Sequence, residues 1–154
     1  MNSAYFDTSA LLKLYVTETG SSWTRAYLVS VPVPTVFTSY LTAVEATCAF
    51  ARRLREGTLL PADHTKAVQA FDYDITHRYN LLDVMQVTID TARRLAVQYP
   101  LRAYDAVQLA TACLLNDSLL RTGKPPLTFI CADDRLVAVA QANGLLTDNP
   151  NHHP

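Results

Sequence analysis

A chain of 154 residues, 49% hydrophobic and 18% charged, carries enough apolar material for one core and is too short for two ordinary domains. Its 13 Lys and Arg stand against 14 Asp and Glu, a net charge of -1, which excludes a generally basic nucleic-acid coat and requires any such contact to come from local cation clusters. No apolar run approaches the roughly 20 residues that cross a bilayer, and the N-terminus has no secretory pattern, so a cytoplasmic protein is expected.

In chain order, AYFD (4–7) reads as a short strand ending at an acid, and SALLKLYV as a first helix. GSSWTRAYLVSV suits a second helix, stopped before Pro32 and Pro34. TVFTS (35–39) is a β-branched, aromatic strand, and a helix runs from Tyr40 to about Arg55 before Glu56-Gly57. A helix from Pro61 to about Tyr79 follows, then a strand at LLDV (81–84) and a helix at VTIDTARRLAVQY. Pro100 breaks the chain before the helix LRAYDAVQLATACLL, and after the TGKPP loop come a strand, LTFICA, and the helix DDRLVAVAQANG. Strands alternating with helices predict α/β layering around a mostly parallel sheet. Residues 1–147 are expected to form one domain and residues 148–154 a frayed polar tail in which His152 and His153 are solvated.

The four glycines are scattered at 20, 57, 123 and 144, which excludes the clustered glycines of a dinucleotide fingerprint or a phosphate loop. No G-x-S-x-G elbow is present. Cys48, Cys113 and Cys131 are odd in number and lie in apolar runs, so buried free thiols in a reducing compartment are expected. His64 and His77 fall on the helix from Pro61 and are expected on its solvated face.

Four acids stand where apolar residues or caps belong. Asp7 and Asp133 follow strands, the position beyond the carboxyl ends where α/β folds bind ligands, although each also suits an N-cap. Strand register favours Asp133 over Asp134. Glu45 lies on or beside a predicted buried stripe of Leu41, Val44, Cys48 and Ala51, where a carboxylate needs a cation, a raised pKa, or a partner such as Lys13. Asp105 opens a helix with the apolar stripe Ala106, Leu109, Ala110, Cys113 and Leu114, and also suits the helix dipole. Strand ends of a parallel sheet share one edge, so the four carboxylates are expected together. Mutually repelling carboxylates call for a compensating cation, and oxygen-only ligands suit Mg²⁺ or Mn²⁺, which support phosphodiester hydrolysis.

With these residues in view, FDTSALLKLY, LTAVEATCAFARR, LRAYDAVQLATA and FICADDRLVAVAQANGL resemble, in order and spacing, the motifs of PIN-domain ribonucleases, and among them VapC-type toxins of toxin–antitoxin pairs. The resemblance runs from Asp7 to about Gly144. It implies a three-layer α/β/α domain, Mg²⁺- or Mn²⁺-dependent cleavage of RNA, a homodimer, and a small antitoxin partner. It also implies that Asp7, Glu45, Asp105 and Asp133 form the catalytic and metal-binding set, Asp7 and Asp105 being the principal ligands, with Ser9 supporting them. Gln108 stands where many relatives carry His and is expected to alter substrate contacts. Arg52, Arg102 and Arg135 are the candidate RNA contacts, each also explained as solvated helix surface. A housekeeping PIN nuclease, a phosphatase and a non-catalytic binding domain are the competing readings; the phosphatase lacks a second acid two residues after Asp7.

Overall fold

The computed structural model describes residues 2–153. Strand β1 (Ser3–Phe6) stops one residue short of Asp7, whose own N–H still reaches across to the Ile130 carbonyl at 2.9 Å. Helix α1 (Thr8–Leu11) is a single turn that tightens into a 3-10 turn, Leu12–Leu14, and so is shorter than the expected helix. Then come α2 (Ser21–Leu28), β2 (Thr35–Ser39), α3 (Leu41–Arg55), α4 (Pro61–His77), β3 (Asn80–Leu82) and α5 (Gln86–Gln98). The chain finishes with α6 (Ala103–Arg121), β4 (Thr128–Ile130), α7 (Asp134–Ala142), β5 (Leu146–Asp148) and a 3-10 turn, Pro150–His152.

The five strands pair in the order β3-β2-β1-β4-β5, and every pairing is parallel. Side-chain alternation along the strands divides the core in two. Ala4, Phe6, Val36 and Ile130 face α1, α3 and α4, with Trp23 and Tyr27 of α2 at the margin. Tyr5, Phe129 and Cys131 face α5, α6 and α7. Helices therefore cover both sheet faces, giving the expected three-layer α/β/α domain. The chain reverses its direction of travel across the sheet between β1 and β4, so the crevice at their carboxyl ends is the topological switch point of the fold.

Three expectations are corrected. First, the buried residues of α3 are Thr42, Ala46, Ala49 and Phe50, whereas Val44 and Cys48 are exposed. Phe50 joins Tyr15 and Phe71 in edge-to-face contacts, and burying that ring outweighs burying Val44. Of the three thiols, only that of Cys131 is fully buried.

Second, GLLTD contains a strand: Leu146–Asp148 forms the β5 edge. Its three residues are too few for alternation to distinguish them from a loop.

Third, part of the segment expected to fray is packed; His152 is exposed as expected, and Pro154 lies outside the described residues. Asn149 and Pro150 are buried, and the His153 ring stacks on Trp23 with centroids 4.6 Å apart. Gly20 has φ +83°, and a Cβ there would sit 2.4 Å from the Pro150 carbonyl oxygen, so this close approach requires glycine.

Candidate functional site

Asp7 leaves β1 with extended backbone and caps α1, its carboxylate accepting the Ser9 N–H at 3.0 Å. The same Oδ2 accepts the Ser9 hydroxyl at 2.5 Å and the Cys131 thiol at 3.6 Å. Ser9 Oγ in turn accepts the Ala132 N–H at 3.0 Å, tying the exit of β1 to the exit of β4. Capping and burial thus coexist at one acid that is only 5% exposed. Burial pushes the Asp7 carboxyl above its ordinary range, and the bonds from Ser9 and Cys131 oppose that rise.

Glu45 stands on α3, half buried, beside the stripe of Thr42, Ala46 and Ala49. Its Oε1 accepts the Gln108 amide at 2.7 Å and the Thr8 hydroxyl at 3.0 Å. Lys13 is not its partner. The Lys13 ammonium is buried against Glu18, 3.1 Å away, and Arg53 closes on the other Glu18 oxygen at 2.8 Å. Gln108, expected at the substrate surface, is instead completely buried on α6 and bonds Tyr5, Thr8, Thr42 and Glu45. The helix α6 is enclosed on most sides, so a polar residue within it must find internal partners.

Asp105 sits in the first turn of α6, and Asp133 caps α7 through the Arg135 N–H at 2.9 Å. Both line a small cleft of about 160 Å³ with Arg102 and Arg135. Arg135 also pairs with Asp133 at 3.2 Å, which outweighs the effect of burial and holds Asp133 below the usual carboxylate range. Asp134 points elsewhere, accepting from Asn149 at 2.6 Å and lying 3.0 Å from His152 Nε2, so Asp133 is the acid on the cleft. Arg52 is exposed on the last turns of α3. A groove of about 530 Å³ between Tyr15, Val16 and α4 contains none of the four acids.

Burial is the main cause of the raised Glu45 and Asp105 pKa values, and the charge of Asp7 raises both further. Asp133 adds to the rise at Asp105, against Arg102 and Arg135. Among the described residues no three His, Cys, Asp or Glu side chains stand in a preformed metal cluster. The donor set nevertheless fits a hard cation. Asp7 Oδ1, Glu45 Oε2 and both Asp105 oxygens accept no hydrogen bond among the described residues, and no unpartnered side-chain oxygen there is fully buried. Each acid therefore keeps a free oxygen open to solvent, in a group whose mutual repulsion a cation would relieve.

Tyr5, Thr8, Thr42 and Cys131 were not among the expected site residues, and Gln108 was expected in a different role. Tyr5, Gln108 and Cys131 sit inside apolar runs that read as core; the one sequence signal was the uncharged polar Gln108 in a helix otherwise rich in Ala and Leu.

A PIN domain family model matches residues 4–124, most of the chain, so the chain belongs to the PIN-domain family. Solved structures that share its fold include the following three. A toxin–antitoxin complex from Klebsiella pneumoniae is 20% identical with a TM-score of 0.59, covering 96% of this chain and 97% of its counterpart. VapBC2 from Rickettsia felis, bound to a DNA fragment from its promoter, is 11% identical with a TM-score of 0.64, covering 96% and 98%. FitAcB from Neisseria gonorrhoeae is 14% identical with a TM-score of 0.63, covering 97% and 99%. No curated protein gives a significant match to the sequence. No helix among the described residues is long and apolar enough to cross a membrane.

Proposed function

We propose that this chain is a Mg²⁺- or Mn²⁺-dependent endoribonuclease and the toxin of a toxin–antitoxin pair. The observation that carries the reading is the gathering of Asp7, Glu45 and Asp105 around the β1/β4 switch point of a PIN domain, each with a solvent-open oxygen and each repelled by its neighbours. Asp7, Asp105 and Glu45 would hold the ion, and Asp133 would complete the acidic pocket. A divalent ion supplies a bound water of lowered pKa and neutralises charge on the phosphoryl oxygens.

The chain's own residues do the rest. Ser9 and Cys131 fix one Asp7 oxygen and leave the other free. Arg102 and Arg135, on the cleft with Asp105 and Asp133, would bind the backbone phosphates flanking the scissile bond, and Arg52 would extend that contact along α3. A small cleft lined by two acids and two arginines suits an exposed single strand or loop better than a closed duplex groove.

The toxin assignment is supported by the likeness to solved toxin–antitoxin complexes, and the partner it implies is a small antitoxin covering the acidic cleft. A homodimer is supported by exposed Met85 and Val87, which line an apolar groove of about 380 Å³ with Leu114 and Leu115.

The test is cleavage of single-stranded RNA in Mg²⁺ or Mn²⁺, with EDTA and Asp7→Asn as controls. Loss of cleavage in both controls supports the reading, and cleavage that survives both overturns it. Growth arrest on expression, relieved by the product of an adjacent small reading frame, tests the toxin assignment.

A further inference from the structure

We infer that Tyr5 and Gln108 form a positioning relay, entirely inside the core, that aims one oxygen of Glu45 at the metal pocket. The inference rests on the proposed site and adds to it two residues that touch neither metal nor substrate. Gln108 is completely buried, and so is Tyr5. The Tyr5 hydroxyl donates to Gln108 Oε1 at 2.6 Å, and Gln108 Nε2 donates to Glu45 Oε1 at 2.7 Å and to Thr42 Oγ1 at 2.9 Å.

The donors and acceptors favour one orientation of the Gln108 amide. Thr38 spends its only proton on the Phe6 carbonyl, 2.8 Å away. Thr42, 2.7 Å from Thr38, must therefore donate to Thr38 and can only accept from Gln108. Thr8 lies nearer Glu45, at 3.0 Å, than Thr42, at 3.2 Å, and gives its proton to the charged oxygen, while its own oxygen also accepts from Gln108 Nε2 at 3.1 Å. The two amide protons of Gln108 are thus both required on the Glu45 side, which leaves its carbonyl oxygen facing Tyr5. If the amide turned over, its carbonyl would meet the carboxylate and the Tyr5 hydroxyl would face an N–H.

The Glu45 carboxylate and Thr42 select the orientation, and Tyr5 braces it from behind. Its completely buried hydroxyl donates to the Gln108 carbonyl oxygen at 2.6 Å and so fixes where the amide sits. The consequence for Glu45 is asymmetry. Oε1 holds two donors and is fixed, whereas Oε2 has no partner among the described residues and stays open to solvent. Glu45 is thereby presented as a one-oxygen ligand on a side chain whose torsions are held from behind. Five structural elements meet in this network: β1, α1, β2, α3 and α6.

The test is a Mn²⁺ titration of the apoprotein, followed by the electron paramagnetic resonance signal of free Mn²⁺, with near-ultraviolet circular dichroism to verify folding. Proteins compared are wild type, Asp7→Asn, Gln108→Leu, Tyr5→Phe and the double variant of Tyr5 and Gln108. Removing partners that orient a metal ligand weakens affinity about 10- to 100-fold, and Gln108→Leu is expected in that range. Tyr5→Phe, which removes one hydroxyl and preserves the ring, is expected to weaken Mn²⁺ binding several-fold.

Because Tyr5 acts through Gln108, the double variant is expected to bind no more weakly than Gln108→Leu alone. Losses that multiply in the double variant, or a folded Tyr5→Phe with wild-type affinity, overturn the relay. Wild type that fails to bind Mn²⁺, or Asp7→Asn that binds it equally well, overturns the site itself and the relay with it. If Gln108→Leu does not fold, the affinity of Tyr5→Phe alone decides.

Discussion

The Ser9 hydroxyl lies 2.5 Å from Asp7 Oδ2 and accepts the Ala132 N–H at 3.0 Å, so one side chain both orients the first acid and joins the ends of β1 and β4. Ser9→Ala removes both bonds and leaves the Asp7 cap through the Ser9 N–H in place. Cleavage is expected to fall roughly 10- to 100-fold, the range for loss of a partner that orients a metal ligand. Stability is expected to fall by only about 1 kcal/mol, for the orphaned Ala132 N–H. Steady-state cleavage kinetics and urea unfolding separate the two effects.

Asp105 in the cleft and Glu18 beside Lys13 are expected to respond oppositely to pH. Burial, Asp7 and Asp133 raise the Asp105 pKa in the folded state, so Asp105 favours folding below its unfolded pKa and loses that contribution as pH rises through the folded value. Asp105→Asn is therefore expected to raise the apoprotein's Tm near pH 8 relative to wild type and to give little gain near pH 4. Burial alone would raise the Glu18 pKa, but Arg53 and Lys13 together hold it below the ordinary value. Its contribution is present above the unfolded pKa and disappears as pH falls. Glu18→Gln leaves a buried Lys13 without a counter-charge and is expected to cost roughly 3 kcal/mol at pH 7. Thermal melts of both variants across pH 4–8 check the two signs.

Arg135 is exposed, and solvent screens its pair with Asp133, so Arg135→Ala is expected to leave stability nearly unchanged. Its larger effect is expected on RNA. Losing one phosphate contact reduces the slope of log affinity against log salt by about 0.7 for a single strand. Arg102→Ala is expected to give a similar decrement. Fluorescence anisotropy of a labelled RNA with Asp7→Asn as background, over a salt series, measures the slope without turnover.

Gly20→Ala would drive a Cβ into the Pro150 carbonyl at a backbone angle that L-residues avoid. A loss of roughly 2 kcal/mol or more is expected, together with release of the last residues from Trp23. Denaturant unfolding reads the first effect. Tryptophan emission, shifted to the red when the His153 ring leaves the Trp23 face, reads the second.

The α/β alternation, the strands at AYF and TVFTS, and helix α3 were legible because local patterning and punctuation agree with the final fold. Asp7, Glu45, Asp105 and Asp133 stood out because carboxylates beside apolar faces are costly without a reason. The depth of α3's rotation was not legible. Leu41, Val44 and Cys48 make as plausible a stripe as Thr42, Ala46 and Ala49, and only packing of Phe50 on Phe71 and Tyr15 selects between them. The order of β5 and the seating of Asn149 and Pro150 were equally hidden, because a three-residue edge strand draws its order from β4.

By itself the sequence determined the layering, the positions of the acids along the chain and the absence of glycine-rich phosphate loops, all of which depend on residue type and local spacing. Tertiary structure alone decided which oxygens of those acids stay free and what stands behind them. Gln108 is 63 residues from Glu45 and 103 from Tyr5 along the chain, and no local pattern encodes a hydrogen bond across that span. Its amide finds both partners only once α6 is pressed against β1 and α3, where burial makes every unmet donor costly and so fixes the one arrangement that leaves none unmet.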